Sequence, residues 1–362
     1  MADIVRRLRR SLRALGRAMI FFLKVFPMLP SRPVDWVTKT PIIERVRYPT
    51  RDGSAEGEVY RPGSAGVHAG IVVCLGVVPF EVSHPQVPVL GMALARAGFA
   101  ALLYWSPAMR DFRLDPADVE NIALAYDWFI QQPYVDSARS GLLGTCVGGS
   151  FALMAAAHPL INRRVAYVSA YAPYSSLWTF ARDIASGSVA SGNGRQPWKV
   201  DPLTRKVFVH SLTALLEDKE AEFLRSVFED GQKSVEGMDL SEAGQKVAAL
   251  LKASGPEEAE RALHALPVEM RDRLSAISPL SHVQGLHAPL IVLLHDRGDQ
   301  VIPVGESQRL CEALAGRAGV YYTEMQFSHL DPSKGKLPPW KLAGEFFKFT
   351  VAVYRLFHHV ID

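Results

Sequence analysis

Residues 140–157 read "SGLLGTCVGGSFALMAAA": a short apolar run, a glycine-bracketed turn, then a longer apolar stretch. "SGLLG" has the length and composition of a strand buried on both faces, and "GGSFALMAAA" those of a helix packed into a core. Between them Cys146 stands in the pattern Gly144-Thr-Cys-Val-Gly148-Gly149. A strand that reverses abruptly into a helix around one reactive side chain is a nucleophile elbow. Gly144 and Gly148 leave room for a turn too sharp for a Cβ, the central residue takes a strained positive φ, and Gly149 lets the helix sit close to the sheet. With three cysteines and 27 glycines, a G-x-C-x-G pattern is expected by chance about 0.02 times. Its position at a strand-to-helix boundary marks Cys146 as the candidate nucleophile.

The flanking sequence extends this unit into a sheet. "GIVVCLG" (70–76), "FAALLYW" (99–105) and "RVAYVSAY" (164–171) are continuous apolar runs, the signature of parallel strands covered on both faces. Helical spacing separates them in "VPVLGMALARAG" (87–98), which ends on a capping glycine, and in "DPADVENIALAYDWFIQQ" (115–132), which opens with proline and acids. Such alternation specifies a doubly wound, mostly parallel sheet with right-handed crossovers. Ahead of it, "IERVRYPTRDGSAEGEVYRP" (43–62) alternates apolar and polar residues around Asp52-Gly53, as an antiparallel pair does.

From about 175 to 285 the strands stop. Leu212, Leu215 and Leu216, then Phe223, Leu224, Val227 and Phe228, fall at helical intervals, so the stretch reads as a helical cap inserted into the core, with "ASGSVASGNGRQPW" (185–198) a flexible loop. The sheet resumes at "APLIVLLHDRGDQVIP" (288–303), followed by helix "ESQRLCEALAGRAG", strand "VYYTEMQ", loop "FSHLDPSKGKLPP" and a last helix from Trp340. The expected organisation is an amino-terminal segment 1–34, a core of 35–174 with 286–362, and a cap of 175–285.

Two further residues then fall beyond strands in the chain order nucleophile, acid, histidine of the α/β-hydrolase triad. Asp299 is preferred to Asp296 because it lies in the turn past the strand, before Val-Ile-Pro, and can orient an imidazole. Of eleven histidines, His329 follows the last strand by a short loop and is the candidate general base. The amide of Val147 is one candidate oxyanion donor and that of Val77 the other, with Gly76 allowing close approach. Glu81 and His84, in "VVPFEVSHP", are candidate site-lining residues. Cys74, mid-strand, and Cys311, in an apolar helical stripe, read as core.

These residues resemble the dienelactone hydrolases, α/β-hydrolases with a G-x-C-x-G-G elbow and a Cys-Asp-His triad. The likeness runs from "YDWFIQQPYVDSARSGLLGTCVGGSFAL" through "RRVAYVSAY" to "HDRGDQVIP" and "FSHLDP". It implies hydrolysis of an activated ester, lactone or thioester through an acyl-cysteine, with no cofactor or metal. Two features depart from that family: the glutamate it places after the third strand has Glu81 as its nearest counterpart, and it lacks a large helical cap. Polyhydroxyalkanoate synthases resemble the chain in elbow, triad order and an insertion before the acid strand, and imply acyl transfer from coenzyme A thioesters. A third reading is a catalytically silent scaffold at a membrane, against which stands the complete triad pattern.

The amino terminus belongs to none of this. "MADIVRRLRRSLRALGRAM" carries six arginines against Asp3, with Ile4, Leu8, Leu12, Leu15 and Met19 on one helical face. "AMIFFLKVFPMLP" is too short for a bilayer span and is broken by Lys24, and no secretory cleavage site follows. The expectation is an interfacial helix on an anionic membrane, inserting Phe21, Phe22 and Phe26, in a protein of the cytoplasm peripheral to the inner membrane face; the alternative is a helix packed on the body or on a partner. A net charge of +3 argues against nucleic acid, and three widely spaced cysteines suit a reducing compartment. The expected ligand is a small acyl compound.

Overall fold

The computed structural model describes residues 2–26, 29–77, 86–192, 194–229, 239–326 and 338–361. Its strands are β1 (Ile42–Thr50), β2 (Gly53–Arg61), β3 (His68–Cys74), β4 (Phe99–Tyr104), β5 (Val135–Thr145), β6 (Tyr167–Tyr171), β7 (Ser188–Ser191), β8 (Gly194–Pro197), β9 (Leu290–Asp296) and β10 (Val320–Met325). Eight of them form one sheet in the order β1-β2-β4-β3-β5-β6-β9-β10. β1 pairs antiparallel with β2 and β2 with β4, and every later pairing in that sheet is parallel. This is the mostly parallel, doubly wound sheet that the apolar runs specify.

The helices before β6 are α1 (Ala2–Val25), α2 (Arg32–Val37), α3 (Gln86–Arg96), α4 (Pro107–Arg110), α5 (Ala117–Phe129) and α6 (Val147–Ala156). Then come α7 (Leu177–Ser186), α8 (Pro202–Thr213), α9 (Asp218–Phe228), α10 (Glu242–Lys252), α11 (Pro256–Ala265) and α12 (Val268–Ala276), and after β9, α13 (Gly305–Ala313) and α14 (Pro339–Val360). Continuous apolar strands divide their side chains between two cores. Val72, Ala100 and Leu102 join one with α5, α6 and the helices of 177–276. Ile71, Val73, Ala101 and Leu103 join the other with α1, α3 and α14. Period-two alternation across two buried faces is why no polar residue interrupts these strands.

The helices α7–α12 leave and return to the sheet at one point. Leu280 N–H donates to the Ser175 carbonyl at 3.0 Å, and Leu177 N–H donates to Ser278 Oγ at 2.8 Å. Buried Glu306, on α13, accepts the Ser175 amide at 2.7 Å. The segment 185–198, expected as a flexible loop, contains the hairpin β7–β8. Its glycines supply turns, with Gly187 capping α7 at φ 60°, while Arg195 Nε donates to Ser188 Oγ at 2.9 Å and its guanidinium reaches Asp183. A cross-strand arginine bound to a buried acid orders a stretch whose composition alone favours a loop.

Phe21, Phe22 and Phe26, expected to insert into a membrane, follow instead the alternative of packing on the body. All three are buried within the protein. Phe22 packs edge-on against Phe346 at 5.1 Å between centroids, Phe26 against Phe349 at 5.5 Å, and Phe21 approaches Phe357 at 6.2 Å. An apolar helix can satisfy its aromatic side chains against a neighbouring helix, and α14 supplies that neighbour. Phe357 also meets Phe99 of the sheet at 5.0 Å. Phe357→Ala should therefore cost about 3–5 kcal/mol in denaturant unfolding, whereas Phe347→Ala, at an exposed site on the same helix, should change stability by under about 0.5 kcal/mol.

Candidate active site

Cys146 occupies the turn between β5 and α6 with φ 56° and ψ −135°, one of three non-glycine residues of positive φ among those described. Such a conformation costs a non-glycine residue of order 1–3 kcal/mol and persists only where the surroundings enforce it. They do so here: Cys146 N–H donates to the Tyr171 carbonyl at 2.8 Å and Gly149 N–H donates to the Cys146 carbonyl at 2.9 Å. A Cβ on Gly148 would strike the backbone of Cys74 and Gly76, and one on Gly144 would strike the backbone of Gly148. Gly149 is less constrained, since its Cβ would lie 3.2 Å from the Gly144 carbonyl oxygen.

Gly76 has φ 77°, and a Cβ there would lie 2.7 Å from Thr145 O and 2.9 Å from Gly148 N. The loop after β3 is thus pressed against the first turn of α6. Thr145 Oγ1 ties the two together by donating to the Leu75 carbonyl at 2.8 Å. As a result Val77, Cys146 and Val147 line one cleft.

The cleft encloses about 780 Å³ of empty space, counting the part open to solvent. Its remaining walls come from α7, α8, α12 and the turn after β9, including Phe180, Val207, Leu212, Leu274 and Ile302. Thr204, Ser211 and Arg273 also line it, but each is engaged by the protein. Thr204 Oγ1 donates to the Val301 carbonyl at 2.9 Å, Ser211 Oγ accepts Leu114 N–H at 3.0 Å, and Arg273 pairs with Asp115 at 3.4 Å. What faces the Cys146 thiol is overwhelmingly hydrocarbon.

Asp299 is buried in the turn after β9. Its Oδ1 accepts the amides of Val301 at 2.7 Å and Ile302 at 3.0 Å, and these two residues line the cleft. Asp296, fully buried at the end of β9, instead uses Oδ1 to accept Gly298 N–H at 2.8 Å within its own turn. Both acids approach the end of β6, where burial, then the charges of Asp296 and Asp299, push the Tyr171 phenol up.

Sequence reasoning passed over His295. This wholly buried residue of β9 has Nε2 3.6 Å from Asp299 Oδ2 and 2.8 Å from the Ile302 carbonyl oxygen, with Nδ1 2.6 Å from Ser307 Oγ. It buttresses the acid-bearing turn and does not line the cleft; its position inside an apolar strand hid it among core residues. His329, Glu81 and His84 lie outside the described residues. Cys74 is buried, and its burial pushes the thiol well up. Cys311, expected in the core, is half-buried on α13.

No protein-family model matches the sequence, and no curated protein matches it. Solved structures do. An acylaminoacyl peptidase in complex with a chloromethyl ketone superposes with a TM-score of 0.51 at 15% identity, over 86% of this chain and 41% of that one. DcsB in complex with its substrate analogue superposes at 0.52 and 17% identity, over 86% of this chain and 99% of the other. The α/β hydrolase GrgF from Penicillium sp. sh18 superposes at 0.50 and 18% identity, over 86% and 98%. The chain spans about two fifths of the peptidase and nearly all of the other two. At these identities the likeness establishes the fold, which is the α/β-hydrolase fold.

Two outcomes test the geometry without reference to activity. Gly148→Ala should destabilise by about 2–4 kcal/mol, through steric conflict with rigid backbone, while Gly344→Ala, in open space on α14, should stabilise by about 0.5–1 kcal/mol; denaturant melts decide both. For the thiols, burial disfavours the thiolate of Cys74, so the pH for its alkylation is displaced above the ordinary thiol range. Mass spectrometry of the folded protein after iodoacetamide at pH 8 should find Cys74 unmodified, and unfolding should expose it.

Proposed function

We propose that this protein is a hydrolase that cleaves an activated ester or thioester of an apolar acyl group, using Cys146 as nucleophile. The observation that supports this most directly is a cysteine held at a strained strand-to-helix turn, at the wall of a cleft whose polar lining groups are already bonded to the protein. The acylaminoacyl peptidase and the α/β hydrolase GrgF, whose structures superpose on this chain, support hydrolysis as the general reaction.

In this reading His329 takes the Cys146 thiol proton, and the thiolate attacks the acyl carbon, forming the S–C bond as the carbonyl electrons move onto oxygen. The amides of Val147 and Val77 stabilise that oxyanion, Val147 adding the first turn of α6. Collapse expels the alcohol or thiol, protonated by His329, and leaves a thioester on Cys146. His329 then takes a proton from water, which attacks the thioester carbon and releases the carboxylic acid and the restored thiolate. Asp299, its Oδ1 fixed by two amides, orients the imidazole. Helices α7–α12 act as a cap that selects the acyl chain.

An esterase assay on p-nitrophenyl esters of two to twelve carbons reads both parts. Wild type should show a burst that Cys146→Ala abolishes, and kcat/KM should rise by about fourfold per methylene until the cleft is filled. Val207→Trp, which narrows the cleft, should shift the preference to shorter chains. His329→Gln should lower kcat by at least about a hundredfold in a protein of unchanged stability. Retained turnover in Cys146→Ala refutes the nucleophile, and a preference for acetate over longer acyl chains refutes the acyl group.

A further inference from the structure

Helix α1 uses only part of its circumference to hold the body. Ala14 and Ala18 are fully buried beside Phe21 and Phe22, and Arg10 Nε donates to the His358 carbonyl at 3.2 Å near the end of α14. The rest of the helix presents a second apolar face: Ile4 is 71% exposed, Leu8 58%, Leu12 59%, Leu15 45% and Met19 39%. At 1.5 Å per residue this stripe runs about 22 Å. At 100° per residue Arg9 lies about 60° beyond Leu12 on one side of it and Arg7 about 60° beyond Ile4 on the other. Both are exposed, and the helix contains no acid after Asp3.

We infer that this outer face of α1 docks onto an anionic lipid surface, with Ile4, Leu8, Leu12, Leu15 and Met19 entering the headgroup boundary and Arg7 and Arg9, on either side of them, meeting the lipid phosphates. Charge complementarity selects this occupant. A long apolar stripe whose flanking charges are cations matches a surface that is apolar beneath and anionic above. A second copy of the chain would bring the same cations and no acid to the contact. The packing of α1 changes which side chains are free to meet lipid: the phenylalanines hold the helix to α14 and the leucines face outward. The docking is independent of the reaction at Cys146.

The test is vesicle co-sedimentation of the full chain with liposomes of phosphatidylcholine alone or with 30% phosphatidylglycerol. Binding should require the anionic lipid and fall with salt. Leu8→Glu with Leu12→Glu should abolish it, and Arg7→Ala with Arg9→Ala should weaken it roughly thirtyfold. Both pairs should leave denaturant stability and hydrolysis of a soluble ester unchanged, since these side chains touch neither core nor cleft. Absence of binding to the anionic vesicles, or binding indifferent to both pairs, overturns the inference. So does light scattering that finds a dimer in wild type and a monomer in the leucine pair, which would assign the face to a second copy.

Discussion

The close approach of two backbones at the head of the sheet constrains everything around it. The turn carrying Cys146 and the loop carrying Gly76 are so near that a Cβ at Gly76, Gly144 or Gly148 would meet main-chain atoms. Main chain cannot rotate away as a side chain can, so glycine is the residue these positions accept. That crowding holds Cys146 at φ 56°, places the start of α6 beside the thiol, and sets Val77 and Val147 on the same cleft. The parallel sheet makes it possible: β3 and β5 are neighbours in register, with Cys74 opposite Gly144, so the loops leaving their carboxyl ends must pass each other.

A second consequence of that order is the separation of the chain's two apolar systems. One face of the sheet carries α5, α6 and the helices that close over Cys146. The opposite face carries α1, α3 and α14. The cleft and the outer stripe of α1 therefore belong to different layers, and each can change without disturbing the other. The body supports the stripe through aromatic packing between α1 and α14, which fixes this 24-residue helix with its leucines outward.

Much of this was legible in the residues. Continuous apolar runs announced the strands, and Gly144, Gly148 and Gly149 announced the elbow, because local steric need restricts residue type at those positions. The amphipathic face of α1 was equally plain. Less visible was His295, whose placement in an apolar strand gives no sign that it will lie beside Asp299. The hairpin β7–β8 was hidden for a similar reason: its order comes from Arg195 meeting Asp183, a pairing across twelve residues that composition cannot announce.

The sequence by itself determined where the chain must turn, which strands are covered on both faces, and which cysteine stands between glycines, since these depend on sterics and hydrophobic period over a few residues. Tertiary structure alone decided what each apolar stripe touches. It turned the leucines and phenylalanines of 177–276 into the walls of a cleft at Cys146, and gave Phe21, Phe22 and Phe26 to α14 while leaving Ile4, Leu8 and Leu12 outside. Burial is a property of the neighbour as much as of the residue, and neighbours hundreds of positions apart are chosen by the packing of the whole chain.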